Sequence, residues 1–364
     1  MLDDASLKAW LALSLTRGLG GENARRLLKE FGSPEAVFAA SINLLKSVVK
    51  ADVAAEISNG IAQDAVTPAL AWLEDANNHI LTLADSDYPQ ALLNIPDPPL
   101  LLYVKGRLDL LNRPALAVVG SRSATPQGIN NAEAFAKSLS DAGLCIISGL
   151  AHGIDAAAHR GGLRGQGSSV AVIGTGLDKV YPATNRDLAH ALAEQGTLVS
   201  EFPLGTPPLA ANFPRRNRLI SGMSLGCLVV EASLQSGSLI TARLALEQGR
   251  DVFAIPGSIH APQSKGCHAL LKQGAKLVEA AQDILEELGG LLVSPVPAAN
   301  SEGPASEGQD EDELLEHLGF DAVDVDTLSV RSGLTVSRLS AMLLTLELNG
   351  RICVLPGGLY QRIH

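Results

Sequence analysis

The sequence predicts an α/β protein whose central part is a doubly wound, mostly parallel sheet. Between about residues 79 and 290, apolar strand patterns alternate with helical stretches. Strands that are apolar throughout and separated by helices are typical of parallel sheets covered on both faces. The predicted strands lie at residues 115–120, 144–148, 169–174, 197–200, 225–231 and 251–255.

Smaller units are predicted on either side of the sheet. Residues 1–78 have the pattern of short helices, with a glycine turn at 18–21 and Pro34 at the first position of a helix. Residues 291–310 are rich in Pro, Ser, Glu and Gly and predict a flexible linker. Residues 311–364 then predict a winged helix: three helices at 314–318, 325–331 and 336–348, and a hairpin at 351–361.

The net charge of −11 is unevenly distributed along the chain. Residues 286–330 contain twelve carboxylates and no Lys or Arg, so the rest of the chain is close to neutral. Because local potential governs polyanion binding more than net charge does, a nucleic-acid partner is not excluded.

Several classes of protein are disfavoured by the composition. No uncharged apolar run is long enough to span a membrane, and the N-terminus lacks the basic segment of a signal peptide. The four cysteines are far apart and form no CxxC pair, which favours neither a metal site nor a disulfide framework. We therefore expect a cytoplasmic protein that requires no cofactor.

The segment 213–218 is the most informative motif. It places Phe213, Arg215, Arg216, Asn217 and Arg218 within six residues of an acidic chain. Arginine suits bidentate recognition of phosphate, and we expect a helix to start near Asn217, where free N–H groups attract anions. The alternative is a solvated helix start whose arginines form structural salt bridges.

Glycine and serine turns follow almost every predicted strand at its C-terminal end, the edge at which open α/β sheets bind ligands. Glycines allow a backbone to approach phosphates closely. The candidate residues in these turns are Gly120, Ser121, Arg122, Gly149, His152, Gly153, Gly176, Ser236 and Gly237. No complete nucleotide-binding or hydrolase motif accompanies them, so no catalytic residue is predicted.

Three ionisable residues near these turns have either a structural or a chemical role. We expect Asp155 to cap a helix and His159 to be packed on that helix, rather than to bind a metal or act as a base. Glu231 ends a predicted strand beside the glycine turns. It either holds local structure, orients an arginine or hydroxyl, or acts as a base.

In this order, these segments resemble the DprA/Smf family of DNA-processing proteins. The resemblance covers essentially the whole chain and is carried by residues 118–128 (VVGSRSATPQG), 148–159 (SGLAHGIDAAAH), 171–188, 213–222 (FPRRNRLISG), 229–257 and 264–275. It implies an extended Rossmann-like fold between an N-terminal sterile-alpha-motif-like helical domain and a C-terminal winged helix. It also implies single-stranded DNA binding, loading of the RecA recombinase during natural transformation, and a homodimer formed through the Rossmann-like domain.

The resemblance assigns phosphate binding to Gly120, Ser121 and Arg122, and places the segment 213–218 along the path of the DNA strand. Arg186 and Lys265 lie in other matching segments and are further candidates. The chain departs from the family pattern at Gln127, where an aromatic residue is common. It also departs at Ala210 and Ala211, where some members have a basic side chain that Arg186 and Arg215 are candidates to replace.

Two other functions compete with this prediction. A Rossmann-type nucleotide phosphoribohydrolase would require a PGGxGT-type turn, whereas the corresponding helix opens with Ser236-Gly237-Ser238. A winged-helix repressor would require base-reading side chains, but the segment 335–348 has Arg338 and Glu347 and no Asn, Gln or Lys. We therefore expect a non-enzymatic protein that binds single-stranded DNA.

Overall fold

The computed structural model describes residues 4–289, 314–315, 317–318, 322–355 and 358–363. Six helices open the chain: α1 (Asp4–Leu15), α2 (Gly21–Phe31), α3 (Pro34–Ala39), α4 (Ile42–Val48), α5 (Ala51–Ser58) and α6 (Gln63–Trp72). Pro34 starts α3 as predicted, after Ser33, whose hydroxyl accepts a hydrogen bond from the Ala36 N–H (3.2 Å). Leu13, Leu27 and Val37 are buried in the core that these helices share.

A nine-stranded sheet follows: β1 (Asn78–Thr82), β2 (Leu101–Gly106), β3 (Ala115–Val119), β4 (Cys145–Ser148), β5 (Ser169–Val172), β6 (Thr197–Ser200), β7 (Gly226–Val229), β8 (Asp251–Ala254) and β9 (Lys276–Leu277). Its order is β1-β2-β6-β5-β4-β3-β7-β8-β9. β1 pairs antiparallel with β2, and β2 pairs antiparallel with β6, whereas all the other pairs are parallel. The predicted doubly wound, mostly parallel sheet is thus confirmed.

Helices cover both faces of this sheet: α7 (Pro126–Asp141), α8 (Ile154–Leu163), α9 (Arg186–Gln195), α10 (Asn212–Gly222), α11 (Ser238–Glu247), α12 (Lys265–Lys272) and α13 (Ala281–Leu288). In β3, Ala117 and Val119 pack into one core while Leu116 and Val118 pack into the other. Side chains alternate between the two faces of a strand, so both faces of β3 must be apolar. This explains why its sequence is apolar without interruption.

The structure differs from the sequence-based expectation at several elements. β1, β2, α9, α12, β9 and α13 were not anticipated. α10 begins at Asn212, well before the predicted start near Asn217. Pro214 allows this, because a proline in the first turn removes only an N–H that has no partner within the helix. The expectation that the segment 213–218 opens a helix is thus confirmed, whereas the expected start near Asn217 was wrong.

The C-terminal part has the predicted winged-helix pattern. α14 (Val325–Ser332) ends at Gly333, whose φ of 67° is left-handed, and α15 (Val336–Leu348) starts after the capping residue Thr335. β10 (Val323–Asp324), β11 (Ile352–Leu355) and β12 (Leu359–Arg362) form a small sheet in the order β10-β12-β11. The predicted linker at 291–310 lies outside the described residues. The division into 1–78, 79–290, 291–310 and 311–364 stays a prediction.

Among the described residues, every helix is too short or too polar to cross a bilayer. In the same part of the chain, no cluster of His, Cys, Asp or Glu is arranged to hold a metal ion. Cys145, Cys227 and Cys267 are buried as free thiols.

Candidate nucleic-acid interface

A polar cleft of about 650 Å³ opens at the C-terminal edge of the sheet, between β3 and β7. From β3 the chain winds outward through β4, β5 and β6 to one side, and later through β7, β8 and β9 to the other. Because the strand order reverses between β3 and β7, the loops after these two strands lead away from each other. Open α/β sheets bind ligands in the crevice between such loops. The walls are the loop 120–123, helix α10, and the segment 233–241 with the start of α11.

The loop 120–123 presents Arg122 to the cleft. Its backbone is fixed on two sides, because the Ser121 N–H donates to the Glu231 carbonyl oxygen (2.7 Å) and the Ser121 carbonyl accepts from the Ile154 N–H (3.2 Å). Gly153, with a φ of 71°, packs so closely on Ser121 that a Cβ there would collide with the Ser121 carbonyl oxygen. Arg122 itself is exposed, and no carboxylate in the described part of the chain pairs with it.

Two aromatic rings lie beside this arginine. The Arg122 guanidinium carbon is 5.5 Å from the centre of the Phe213 ring, and the Tyr181 ring centre is 5.6 Å from that of Phe213. Tyr181 is 45% exposed and, like Phe213, lines the cleft. Tyr181 was missed at the sequence level, although an aromatic residue in a proline-containing loop near a strand end was a usable signal. Exposed rings beside an unpaired guanidinium can stack on bases.

The opposite wall is the start of α11, where Gly237 is the N-terminal capping residue. Ser236 and Ser238 are joined by a hydrogen bond between their hydroxyls (2.7 Å). The Gly237 N–H has no acceptor among the described residues, and nothing lies within 4 Å of the position of a Cβ on Gly237. Both predicted residues of this wall, Ser236 and Gly237, therefore line the cleft with an open N–H group beside them.

Two arginines of α10 are directed away from the cleft, into ion pairs. Arg218 forms a bidentate pair with Glu201 (2.7 and 2.8 Å) and also contacts Asp97 (3.3 Å). Arg215 binds the same Glu201 carboxylate (3.0 Å), and its side chain is 57% exposed. Asp97 in turn pairs with Arg25 of α2 (2.8 Å). Structural salt bridges, the alternative to phosphate binding, thus account for Arg218 fully and for Arg215 in part.

Arg216 is the third arginine of the segment and is almost fully buried (3% exposed). Its Nη1 donates to the carbonyl oxygens of Gly149 (2.8 Å) and Val172. Burial lowers the pKa of Arg216 to about 10, although the nearby Asp155 carboxylate acts in the opposite direction. Burial also raises the pKa of Asp155, against the influence of Arg216.

His159 and Glu231 both form hydrogen bonds that hold neighbouring segments of the fold. His159 is fully buried; its Nε2 accepts from the Leu150 N–H (3.2 Å), and its Nδ1 is 2.7 Å from the Ser169 hydroxyl. The Glu231 carboxylate accepts hydrogen bonds from the N–H (2.9 Å) and hydroxyl (2.5 Å) of Thr125, which caps α7. Burial raises the pKa of Glu231, opposed by those hydrogen bonds. Asp155 accepts the N–H groups of Gly149 and Ala151 instead of capping α8.

The other predicted residues divide between the cleft and its surroundings. Asn217 lines the cleft, as do Gly120, Ser121, Arg122, Phe213 and Arg216. The remaining residues lie outside its lining: Gly149, His152, Gly153, Gly176, Arg186, Arg215, Arg218 and Lys265. The glycines among them serve packing; a Cβ on Gly176, for example, would lie 2.7 Å from the Pro203 carbonyl oxygen. Lys265 donates to the Ile259 carbonyl oxygen.

The buried His159 predicts a pH-dependent contribution to stability. Burial, reinforced by the charges of Arg216 and Arg160, lowers its pKa from 6.5 to about 3. Below pH 6.5 this histidine is protonated in the unfolded chain, whereas in the folded protein it stays neutral down to about pH 3. The free energy of unfolding therefore decreases as the pH falls through this range. Wild type should therefore lose about 2 kcal/mol more free energy of unfolding than His159→Gln when the pH is lowered from 7 to 5.

Urea unfolding at a series of pH values measures this difference. His190→Gln, at an exposed position of α9, is the control and should show the same pH dependence as wild type. If the free energy of unfolding depends on pH in the same way in wild type and in His159→Gln, His159 is not a buried neutral imidazole.

The fold and cleft together define a Rossmann-type α/β protein with a polar crevice at its switch point and an appended winged helix. Comparison with known proteins specifies this class further. Residues 79–289 match the family model of DNA recombination-mediator protein A, and residues 296–358 match that of the DprA winged helix domain. The chain belongs to the DprA/Smf family.

Individual relatives agree with this assignment. Protein Smf of Escherichia coli is 47% identical over 304 residues, which are 82% of this chain and 81% of that protein. The DNA processing protein DprA of Streptococcus pneumoniae is 49% identical over 206 residues, which are 57% of this chain and 73% of that protein.

Two solved structures of family members resemble the fold. The X-ray structure of DprA from Streptococcus pneumoniae matches with a TM-score of 0.68 and 38% identity, over 77% of this chain and 97% of that one. DprA from Helicobacter pylori, described for its single-stranded DNA binding mode, matches with a TM-score of 0.53 and 30% identity, over 58% and 96% of the two chains.

Proposed function

We propose that this protein binds single-stranded DNA in the cleft between β3 and β7. The observation that carries the proposal is the unpaired Arg122 guanidinium beside the Phe213 and Tyr181 rings. A cation for the backbone next to rings for the bases is the combination that single-strand binding uses. The Gly237 N–H on the opposite wall is a second group suited to phosphate. The binding described for the Helicobacter pylori relative supports the same ligand.

The proposal predicts that single-stranded DNA binds more tightly than duplex and without sequence preference, because rings stack on any base while stacked duplex bases are inaccessible. If four to six phosphates are neutralised, log K should fall against log salt with a slope of roughly −3 to −4. Fluorescence anisotropy with a labelled oligonucleotide and its duplex, titrated at several salt concentrations, measures both properties. A slope near zero, or tighter binding of duplex, would refute the proposal.

Arg122→Ala should weaken binding and flatten the salt slope by roughly 0.7, the contribution of one phosphate contact on a single strand. Arg113→Ala is the matched control. Arg113 lies just before β3, at the opposite end of the strand from Arg122, and pairs with Asp109 (2.7 Å), yet its loss removes the same formal charge. If both variants flatten the slope equally, only the overall charge matters and Arg122 makes no specific contact.

The wider role that we propose is protection of incoming single-stranded DNA and loading of the RecA recombinase on it during natural transformation. Membership of a family of DNA recombination mediators supports this role. We further propose that the protein acts as a homodimer formed through its Rossmann-like domain. RecA filament assembly on single-stranded DNA and light scattering of the purified protein test these two parts separately.

We also propose that the protein acts without catalysis. The Glu231 carboxylate accepts two hydrogen bonds from Thr125, and Asp155 accepts two backbone N–H groups, so both carboxylates have structural partners. α11 opens with Ser236-Gly237-Ser238 and not with the glycine-rich turn of the phosphoribohydrolases. Release of free base from nucleoside monophosphates at a rate above the uncatalysed background would refute this part.

A further inference from the structure

Arg216 and Asp155 are two buried, oppositely charged residues in the lining of the cleft. The two residues are 3% and 7% exposed, a rare state for ionisable groups. Both side chains close on Gly149, where a Cβ would lie 2.5 Å from Arg216 Nη1 and 2.7 Å from Asp155 Oδ2. Only glycine leaves room for both side chains at this position.

This pair joins the C-terminal ends of two neighbouring strands. Arg216 Nη1 donates to Gly149, which follows β4, and to Val172, the last residue of β5. Asp155 Oδ2 accepts the N–H groups of Gly149 (3.1 Å) and Ala151 (3.3 Å), and thereby holds the connection between β4 and α8. Nη1 of a guanidinium has two N–H groups and can therefore donate to two carbonyls at once.

Phe213 and Arg122, which line the cleft, belong to elements that Arg216 and Asp155 hold in place. Arg216 is one helical turn after Phe213 on α10, so its anchoring sets the position of that ring. Asp155 lies in the first turn of α8, whose Ile154 N–H donates to the Ser121 carbonyl next to Arg122. The positions of Arg122 and Phe213 therefore both depend on buried side chains that bind the backbone around Gly149.

We propose that Arg216 and Asp155 are positioning residues that hold Arg122 and Phe213 in the arrangement that accepts single-stranded DNA. This inference rests on the proposed function. It reassigns Arg216, which the sequence suggested as a phosphate ligand. Nε of Arg216 is buried without an acceptor among the described residues, so a direct contact of this guanidinium with DNA is the competing role. The experiment must separate that contact from positioning.

A double-mutant cycle makes this separation. Arg216→Met should weaken binding about tenfold in the wild-type background but less than about twofold when Arg122→Ala and Phe213→Ala are already present, because residues acting through one another are not additive. Equal losses in both backgrounds would indicate an independent contact by Arg216 and overturn the proposal. Arg250→Met is the matched control. Arg250 lies just before β8 and donates to the carbonyl oxygen of Gly222, the last residue of α10 (3.3 Å). Its loss removes a guanidinium that holds the end of α10 distant from Phe213, and it should leave binding unchanged.

Hydrogen exchange of the unliganded full-length protein gives a second readout that does not depend on DNA. In Arg216→Met, exchange of the segment 119–125 should rise, while exchange of β1 and β2 stays as in wild type. If Arg216→Met does not fold, the neutral pair Asp155→Asn with Arg216→Gln removes both charges together and avoids leaving one of them uncompensated.

Each outcome decides the proposal. Faster exchange at 119–125 together with a non-additive loss of affinity supports it. Unchanged exchange there, or unchanged affinity of the folded fraction, overturns it in favour of a role in stability alone. Failure of wild type to bind single-stranded DNA would refute the proposed function, while the exchange result would still judge the coupling of Arg216 to the Arg122 loop.

Discussion

Glu201→Gln should lower the free energy of unfolding by about 3–5 kcal/mol, the cost of removing one partner from a buried ion pair. The Glu201 side chain is 2% exposed and receives three hydrogen bonds from Arg218 and Arg215. Arg218 is itself only 12% exposed, so its charge would lose its principal partner while staying out of water. Urea unfolding followed by circular dichroism measures the effect.

Arg215→Gln is the control for this prediction. It breaks the exposed arm of the same cluster and leaves the Arg218–Glu201 pair intact, so its cost should stay below about 1 kcal/mol. If Glu201→Gln costs no more than Arg215→Gln, the cluster is solvated and contributes little to stability. A large effect would show that the buried Arg218–Glu201 pair stabilises the fold.

Phe213→Ala should weaken single-stranded DNA binding by about 1–3 kcal/mol, the usual contribution of one ring stacked on a base. The ring lies close to both Arg122 and Tyr181 and is only partly buried. Because the ring carries no charge, the salt slope should change little, which distinguishes this variant from Arg122→Ala. Anisotropy titrations at two salt concentrations, with melting curves alongside, measure affinity and folding together.

Phe213→Trp is the rescue variant, since a larger ring still offers a stacking face and should restore most of the affinity. The opposing possibility is that Phe213 only packs against Gly174 and supports the start of α10. In that case Phe213→Ala would lower the melting temperature while the folded fraction keeps its wild-type affinity, and base stacking by this ring would be refuted.

The sheet could be predicted from the sequence because its strands are apolar on both faces and stand between helices. The edge strand β1 escaped prediction because its pattern is mixed, and its antiparallel neighbour β2 was missed although its first four residues are buried. At β1, for example, the burial alternates irregularly around His79 and Ile80. The start of α10 was misplaced because Pro214 resembles a boundary, although a first turn tolerates it.

For the site, glycine turns and motif order were sufficient to find Gly120, Ser121, Arg122 and Phe213. They could not separate the three arginines of α10, because successive positions of a helix point in different directions about its axis. Arg216 faces the ends of β4 and β5, and Arg218 faces Glu201, a residue far from the segment in sequence. Partners of this kind are set by tertiary packing, which no local pattern contains.

The order of the strands also has a consequence during synthesis of the chain. The cleft has one wall after β3 and the other after β7, and the two strands meet only when Leu116 pairs with Gly226. A nascent chain that has left the ribosome through β6 carries Arg122 but lacks α10, β7 and α11. Since such distant contacts form only after the intervening chain is available, affinity for nucleic acid should appear late in translation. Incomplete polypeptides would then be unable to capture DNA.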